Sequence, residues 1–330
     1  MRWPRRLPID PFIAALFGTV ALAALIPLRG TAAEVGRVAA QLAVALLFFL
    51  HGAKIAPRAA LAGARHWRLH AVVLLATFVV FPLLGLAAAP LRPAVLTPEL
   101  YQGLLFLCAV PSTVQTSIAF TAIARGNVPA AVFTASFSNI AGIALTPLLV
   151  TLLLQGSGEV RVSAGSIGTV VLQLLVPFVA GQLSRRWTAG WIERHRSLTG
   201  RVDRGAILLV VYSAFSAGVV AGVWDEVSPG RLIVLIAVVA GLLALVLGLL
   251  HAGGRLLRFD RADRVTILFC GAKKSLATGL PMAAVLVQPE ALGLLVLPLM
   301  IYHQIQLVVC AAIARSWADR APPTPARTDA

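Results

Sequence analysis

Two short segments hold most of the side chains in this 330-residue chain that could do chemistry inside an apolar surrounding. One of them, Phe269-Cys270-Gly271-Ala272-Lys273-Lys274-Ser275-Leu276-Ala277-Thr278-Gly279, sets two adjacent lysines within a hydrophobic run. An ammonium in such a place can hold an anion, cap the carbonyls of a broken helix, or give up its proton. The other segment runs from Pro111 to Thr121, and six of its eleven side chains can hydrogen-bond. Pro111 lacks an N–H, so a carbonyl one turn earlier is left without its helical donor. Enzymatic chemistry has no reactive set here: there is no His-Glu-x-x-His, no Gly-x-Ser-Gly and no pair of aspartates within an apolar run. Cys108, Cys270 and Cys310 are odd in number and lack metal-ligand spacing, so they read as small buried apolar residues. Neither an enzyme nor a bound cofactor is expected.

The elements that must position these residues are membrane helices. The chain is 59% apolar and 12% charged with a mean hydropathy of +0.88, whereas soluble domains run at about half apolar and a quarter charged. Apolar runs cover 11–28, 38–55, 69–90, 103–124, 128–154, 166–184, 206–223, 232–252, 265–287 and 292–313. Each is long enough to cross a hydrocarbon layer of about 30 Å as a helix. Sustained apolarity excludes a β-barrel, whose strands alternate. The fold class is therefore an all-α polytopic membrane protein, with residues 1–317 as one ten-helix domain and 318–330, rich in Pro and Ala, as a disordered tail.

The net charge of +15 gains its meaning from placement. With these spans, 21 of the 28 Lys and Arg fall on one side and five on the other, and the remaining two are Lys273 and Lys274. The positive-inside rule then puts both termini in the cytoplasm, with the lipid bilayer and not nucleic acid as the large partner. All six tryptophans (Trp3, Trp67, Trp187, Trp191, Trp224 and Trp317) stand at or just beyond span ends, at headgroup depth. Leu183 to Arg204, with six Lys or Arg, is the longest charged connection and reads as a solvated loop. Arg2, Arg5 and Arg6 followed by an apolar run imitate a cleavable signal, but Pro4, Pro8 and Asp10 make it a poor one, so the first span is read as retained.

Ten spans divide into repeats over 1–155 and 166–317, and an odd number per half inverts the second copy. Spans four and nine carry helix breakers at matching positions: Pro111 in one, Gly271, Gly279 and Pro281 in the other. The final span of each half is polar at mid-depth, with Ser138 and Asn139 in the fifth and His303, Gln304 and Gln306 in the tenth. Paired breaks flanked by polar residues point to a midplane binding site. Lys274 lies roughly 13 Å into its span, where a charge costs about 2.5–3.5 kcal/mol on insertion scales. All thirteen acidic residues are in loops, tails or span edges. The counter-charge must come from carbonyl dipoles, helix C-termini, loss of a lysine proton, or an anion from outside. The expected occupant is a small organic anion held by Lys273 or Lys274 and by half-helix N-termini. Thr113, Gln115, Thr116, Ser117, Ser138, Asn139, Ser275, His303 and Gln304 would complete the site. A lysine that only caps a broken helix stays open as the alternative.

The stretches Leu46 to Lys54, Pro111 to Thr121 with Ala124-Arg125-Gly126-Asn127, Phe269 to Ser275, and Pro298 to Gln306 resemble the bile acid:sodium symporter family in its divergent bacterial SBF-like branch. The resemblance implies a core domain with crossing unwound fourth and ninth helices, a panel domain, and alternating access in a plasma membrane. It also implies symport of an organic anion with sodium. Carried over, the family's sodium ligands fall near Ser117 and Ile118 and near Ala131 and Ala135, so Ser117 alone of these offers a hydroxyl. Phe269 stands at the place of a glutamate, and Lys273 and Lys274 at those of a glutamine and an asparagine. Sodium is thus the single ion implied and its ligand set is incomplete. A lysine ammonium in its place would give proton-coupled or uncoupled anion transport, and a channel or non-transporting regulator stays open beside them, as does the oligomeric state.

Overall fold

The computed structural model describes residues 11–54, 66–92, 95–155, 164–222 and 228–319. Expectations resting on Arg2, Arg5, Arg6, Trp3, Trp224 and residues 320–330 of the tail lie outside them. Among the described residues the chain is helical and forms no strand. Helix α1 spans Pro11–Leu25 and α2 spans Thr31–Lys54. Helix α3, Trp67–Leu75, runs through a π-helical stretch, Ala76–Val80, into α4, Phe81–Ala87. The expected fourth span is two half-helices, α5 over Pro98–Ala109 and α6 over Gln115–Ile123. Then come α7 (Val128–Gln155), α8 (Ala164–Arg194), α9 (Arg196–Val220) and α10 (Pro229–Leu256). The expected ninth span is again split, into α11 (Arg261–Gly271) and α12 (Leu276–Leu286), and α13 covers Pro289–Asp319. Among the described residues six stretches are long and apolar enough to cross a membrane: Thr31–Lys54, Trp67–Leu91, Val128–Leu154, Arg196–Val220, Pro229–Leu256 and Pro289–Ala318.

Helix starts follow local chemistry. Thr97, Ser228, Asp260 and Ser275 each accept a hydrogen bond from the backbone N–H three residues on, as N-caps do. Between α6 and α7 the chain turns through Arg125 at φ 55°. A Cβ on the adjacent Gly126 would stand 2.6 Å from the Val265 side chain, so the turn packs against α11. The stretch Leu183 to Arg204, expected as a loop, is helical on both sides of His195. Arginine and leucine are good helix formers, and the Arg186 guanidinium lies 3.7 Å over the Trp187 ring.

Helices α2 and α8 form the tightest crossing: a Cβ on Gly52 would lie 2.0 Å from the Phe178 carbonyl oxygen, and one on Gly181 2.0 Å from that of Phe49. Only glycine lets the two backbones meet so closely. Helix α1 packs on α9, and α9 also packs on α2 and α13. The half-helices pack with α3, α4, α7, α10 and α13 around one large buried core. A smaller apolar cluster, Val44, Phe48, Leu174, Phe178, Val210 and Met282 among it, fills the seam between α2, α8, α9 and α12. Leu42, Leu83, Leu152, Leu172 and Ile233 are exposed, as befits an outer face turned to lipid.

Candidate functional site

Two gaps in helical backbone, 110–114 and 272–275, meet inside the core. A chain gap leaves carbonyls without helical donors, and in hydrocarbon no water replaces them. Here every carbonyl from Cys108 to Ser112 has a partner. Lys274 Nζ donates to Cys108 O and to Val110 O, both at 2.9 Å. Thr146 donates to Ala109 O at 2.9 Å, the Ser275 N–H to Pro111 O at 2.9 Å, and Asn139 to Ser112 O at 2.6 Å. The second gap is served by the first. Ser117 donates to Phe269 O at 3.1 Å, Ser112 to Cys270 O at 2.6 Å, and Thr113 to Lys274 O at 2.9 Å. The Tyr302 hydroxyl donates to Ala272 O at 2.7 Å.

Lys274 is the centre of this arrangement. It is fully buried, and its third N–H points at Thr77 O, 3.0 Å away. Thr77 belongs to the π-helical stretch, where the shifted register turns that carbonyl inward. An ammonium has three donors and no acceptor, so the three carbonyls use all of them. The Phe81 ring lies 4.0 Å from the same nitrogen. Gln306 fixes the lysine's own backbone: its Oε1 accepts from the Lys274 N–H at 2.8 Å and its Nε2 donates to the Lys274 carbonyl at 2.8 Å.

Lys273 is equally buried but differently placed. Its Nζ lies 4.0 Å over the Phe120 ring and has no hydrogen-bond partner among the described residues. The two lysines therefore diverge, one toward Phe120 and one toward Phe81, instead of converging on one cavity.

Of the other expected site residues, Ser117, Thr113, Ser138, Asn139 and Ser275 all join the crossing. Ser138 Oγ accepts from the Ser112 N–H at 3.2 Å, and Asn139 Oδ1 accepts from Thr278 at 2.7 Å. His303 Nδ1 faces Gln306 Nε2 at 2.8 Å and the Lys274 carbonyl at 3.4 Å, and so borders the crossing itself. Gln115 is exposed at the start of α6, while Thr116 Oγ1 and Gln304 Nε2 are buried without a partner among the described residues. Pro111 lies in the first gap and Gly271 ends α11. Gly279 and Pro281 do not break anything: both sit inside α12, because Ser275 starts the new helix before them. A Cβ on Gly279 would lie 2.6 Å from Leu299, so it serves packing against α13. Ser112 and Thr278 stand in the two polar segments without a role of their own there, and Thr77, Thr146 and Tyr302 were not singled out from sequence. Single hydroxyls in apolar runs carry no distinguishing signal, and the π-helical register of Thr77 leaves none.

An open cavity of about 420 Å³ lies apart from the lysines, between α2, α8, α9 and the α12–α13 junction. Arg37, Gln41, Gln173, Ser213 and Gln288 supply its polar lining and Val44, Val210 and Leu292 part of its apolar lining. Arg37 pairs there with Glu34.

The model of the SBF-like CPA transporter family matches residues 10–319 of the chain. An uncharacterized protein of Pseudomonas aeruginosa is 54% identical over 97% of this chain and 96% of its own length. YfeH of Escherichia coli K12, provisionally named a symporter, is 48% identical over 94% of this chain and 93% of its own. Sodium/bile acid cotransporter 7-A of Xenopus laevis is 28% identical over 94% and 93%.

Proposed function

The chain belongs to the SBF-like CPA transporter family and is a membrane transporter of the bile acid:sodium symporter type; from that premise we propose that it moves an organic anion by alternating access without a sodium ion at the helix crossing. The observation that carries this reading is the Lys274 ammonium, which fills a cage of three main-chain carbonyls where the two broken helices meet. A tethered cation in that place supplies the positive charge and the donors that close the crossing, and it would repel sodium. The ten-span plan, with inverted repeats over 1–155 and 166–317, is supported by matched packing: α1 on α9 mirrors α2 on α8, and each repeat ends in a broken helix followed by a long one. The panel would be α1, α2, α8 and α9, and the core the remainder.

The anion enters, on this reading, through the cavity that holds Arg37, since its volume and its mixed apolar and polar lining suit an amphipathic carboxylate. Neither lysine lines it, so Lys273 and Lys274 act on the crossing and Arg37, Gln41 and Gln173 on the substrate. The test is counterflow in proteoliposomes with labelled organic anions such as conjugated steroid acids. Saturable uptake accelerated by internal substrate, unchanged when choline replaces sodium, is the expected result. Uptake that neither saturates nor responds to internal substrate would make the protein a channel or regulator. Proton coupling is favoured over uncoupled transport by Lys273, whose charged form finds only the face of Phe120; anion-driven alkalinisation outside the vesicles, lost in Lys273→Met, would establish it.

A further inference from the structure

A second cavity, of about 330 Å³, opens where the C-terminal end of α10, the start of α11 and the end of α13 meet, on the arginine-rich side of the molecule. Its lining is His251, Arg255, Arg261, Arg264 and Trp317. Three guanidiniums and an imidazole thus converge on one concave space, with no carboxylate in its wall among the described residues. The two acids at the start of α11 are engaged elsewhere. Asp260 caps α11 by accepting from the Asp263 N–H at 2.7 Å, and Asp263 accepts from Asn127 at 2.8 Å and pairs with His66 at 3.6 Å. Among the described residues no ion pair neutralises Arg255, Arg261 or Arg264. Arg261 is held in place by donating to the Trp317 carbonyl at 2.7 Å. The Trp317 ring lies 5.9 Å from His251 and 6.2 Å from Phe269, which ties the cavity wall to the broken helix α11.

The positive-inside rule accounts for arginines on this side but not for a walled cavity of them; the basic stretch over Arg185–Arg204 carries six arginines on helices without either cavity being formed of them. We propose that this cavity binds a phosphate group, the chemistry that planar guanidinium forks and an imidazole recognise. Its place at the membrane boundary beside an indole makes a phospholipid headgroup the natural source. Occupancy draws α10, α11 and α13 together at one end of the core and so stabilises the fold that holds the crossing. This site stands independently of the substrate reading.

The full chain in phosphatidylcholine nanodiscs would be titrated with dioctanoyl phosphatidylglycerol and, separately, with potassium phosphate against potassium chloride at equal ionic strength, following thermal unfolding. A saturable upward shift with either probe is expected, and the two arms distinguish a headgroup from free phosphate. Arg255→Gln with Arg264→Gln, both side chains without ion-pair partners, should weaken binding by about fivefold for each arginine lost. Arg186→Gln with Arg194→Gln should leave it unchanged. Native mass spectrometry of retained lipid gives a second readout that does not depend on stability. No shift with either probe, or a shift and a lipid count undiminished in the Arg255/Arg264 variant, would overturn the proposal.

Discussion

Removing the Lys274 ammonium leaves three buried carbonyls, of Thr77, Cys108 and Val110, without donors. Each such orphan costs about 1–3 kcal/mol, so Lys274→Met should lose on the order of 3 kcal/mol or more and unfold well below the parent in detergent. Lys273→Met removes a buried charge that has no hydrogen-bond acceptor, a change expected to be neutral or stabilising. Thermal unfolding of the two variants side by side measures the contrast, and equal losses would contradict it. Gln306→Leu strips both bonds from the Lys274 peptide and should cost about 1–3 kcal/mol by the same unfolding assay. The sequence made the two lysines legible as functional residues, because a charge in an apolar run must be compensated. It did not separate them: adjacent side chains on unwound backbone share composition and depth, and only the fold decides which one meets the carbonyls.

At the scale of elements, the paired breaks were readable from Pro111 and Gly271, since a missing N–H and a missing Cβ weaken a helix wherever they occur. Gly279 and Pro281 misled for the same reason. Inside α12 the packing of that half-helix against α13 outweighs the proline's lost bond, a tertiary effect that no local pattern carries. The π-helical stretch Ala76–Val80 was invisible for want of any residue signature. The crossing of α2 and α8 yields a further prediction. Gly181→Ala places a methyl against the Phe49 carbonyl with no flexible atom to yield, so the helices must part and stability should fall by about 1–3 kcal/mol. Gly190→Ala on the same helix, with open space around it, should instead leave stability unchanged or raise it by up to about 1 kcal/mol in the same unfolding measurement.

For the whole molecule, charge placement predicts sidedness. Cys108, Cys270 and Cys310 are buried, so a membrane-impermeant maleimide should report introduced cysteines alone: Ser197→Cys labelled from the cytoplasm, Thr31→Cys from the opposite face, and the reverse pattern would invert the topology. All-helical character and membrane class followed from composition because apolarity over so many long runs admits little else. The site's inner logic did not, since it depends on contacts between Lys274 and residues about 160 to 200 positions away in the chain. The most direct test of the central claim, that a tethered ammonium holds the cation place at the crossing, is the unfolding temperature of the purified protein as sodium replaces choline at constant ionic strength. A ligand bound only by the folded state at a hundredfold excess over its Kd adds about 2.7 kcal/mol. A flat response is predicted. A saturable upward shift specific to sodium would mean that a sodium site persists beside Lys274 and would contradict the claim.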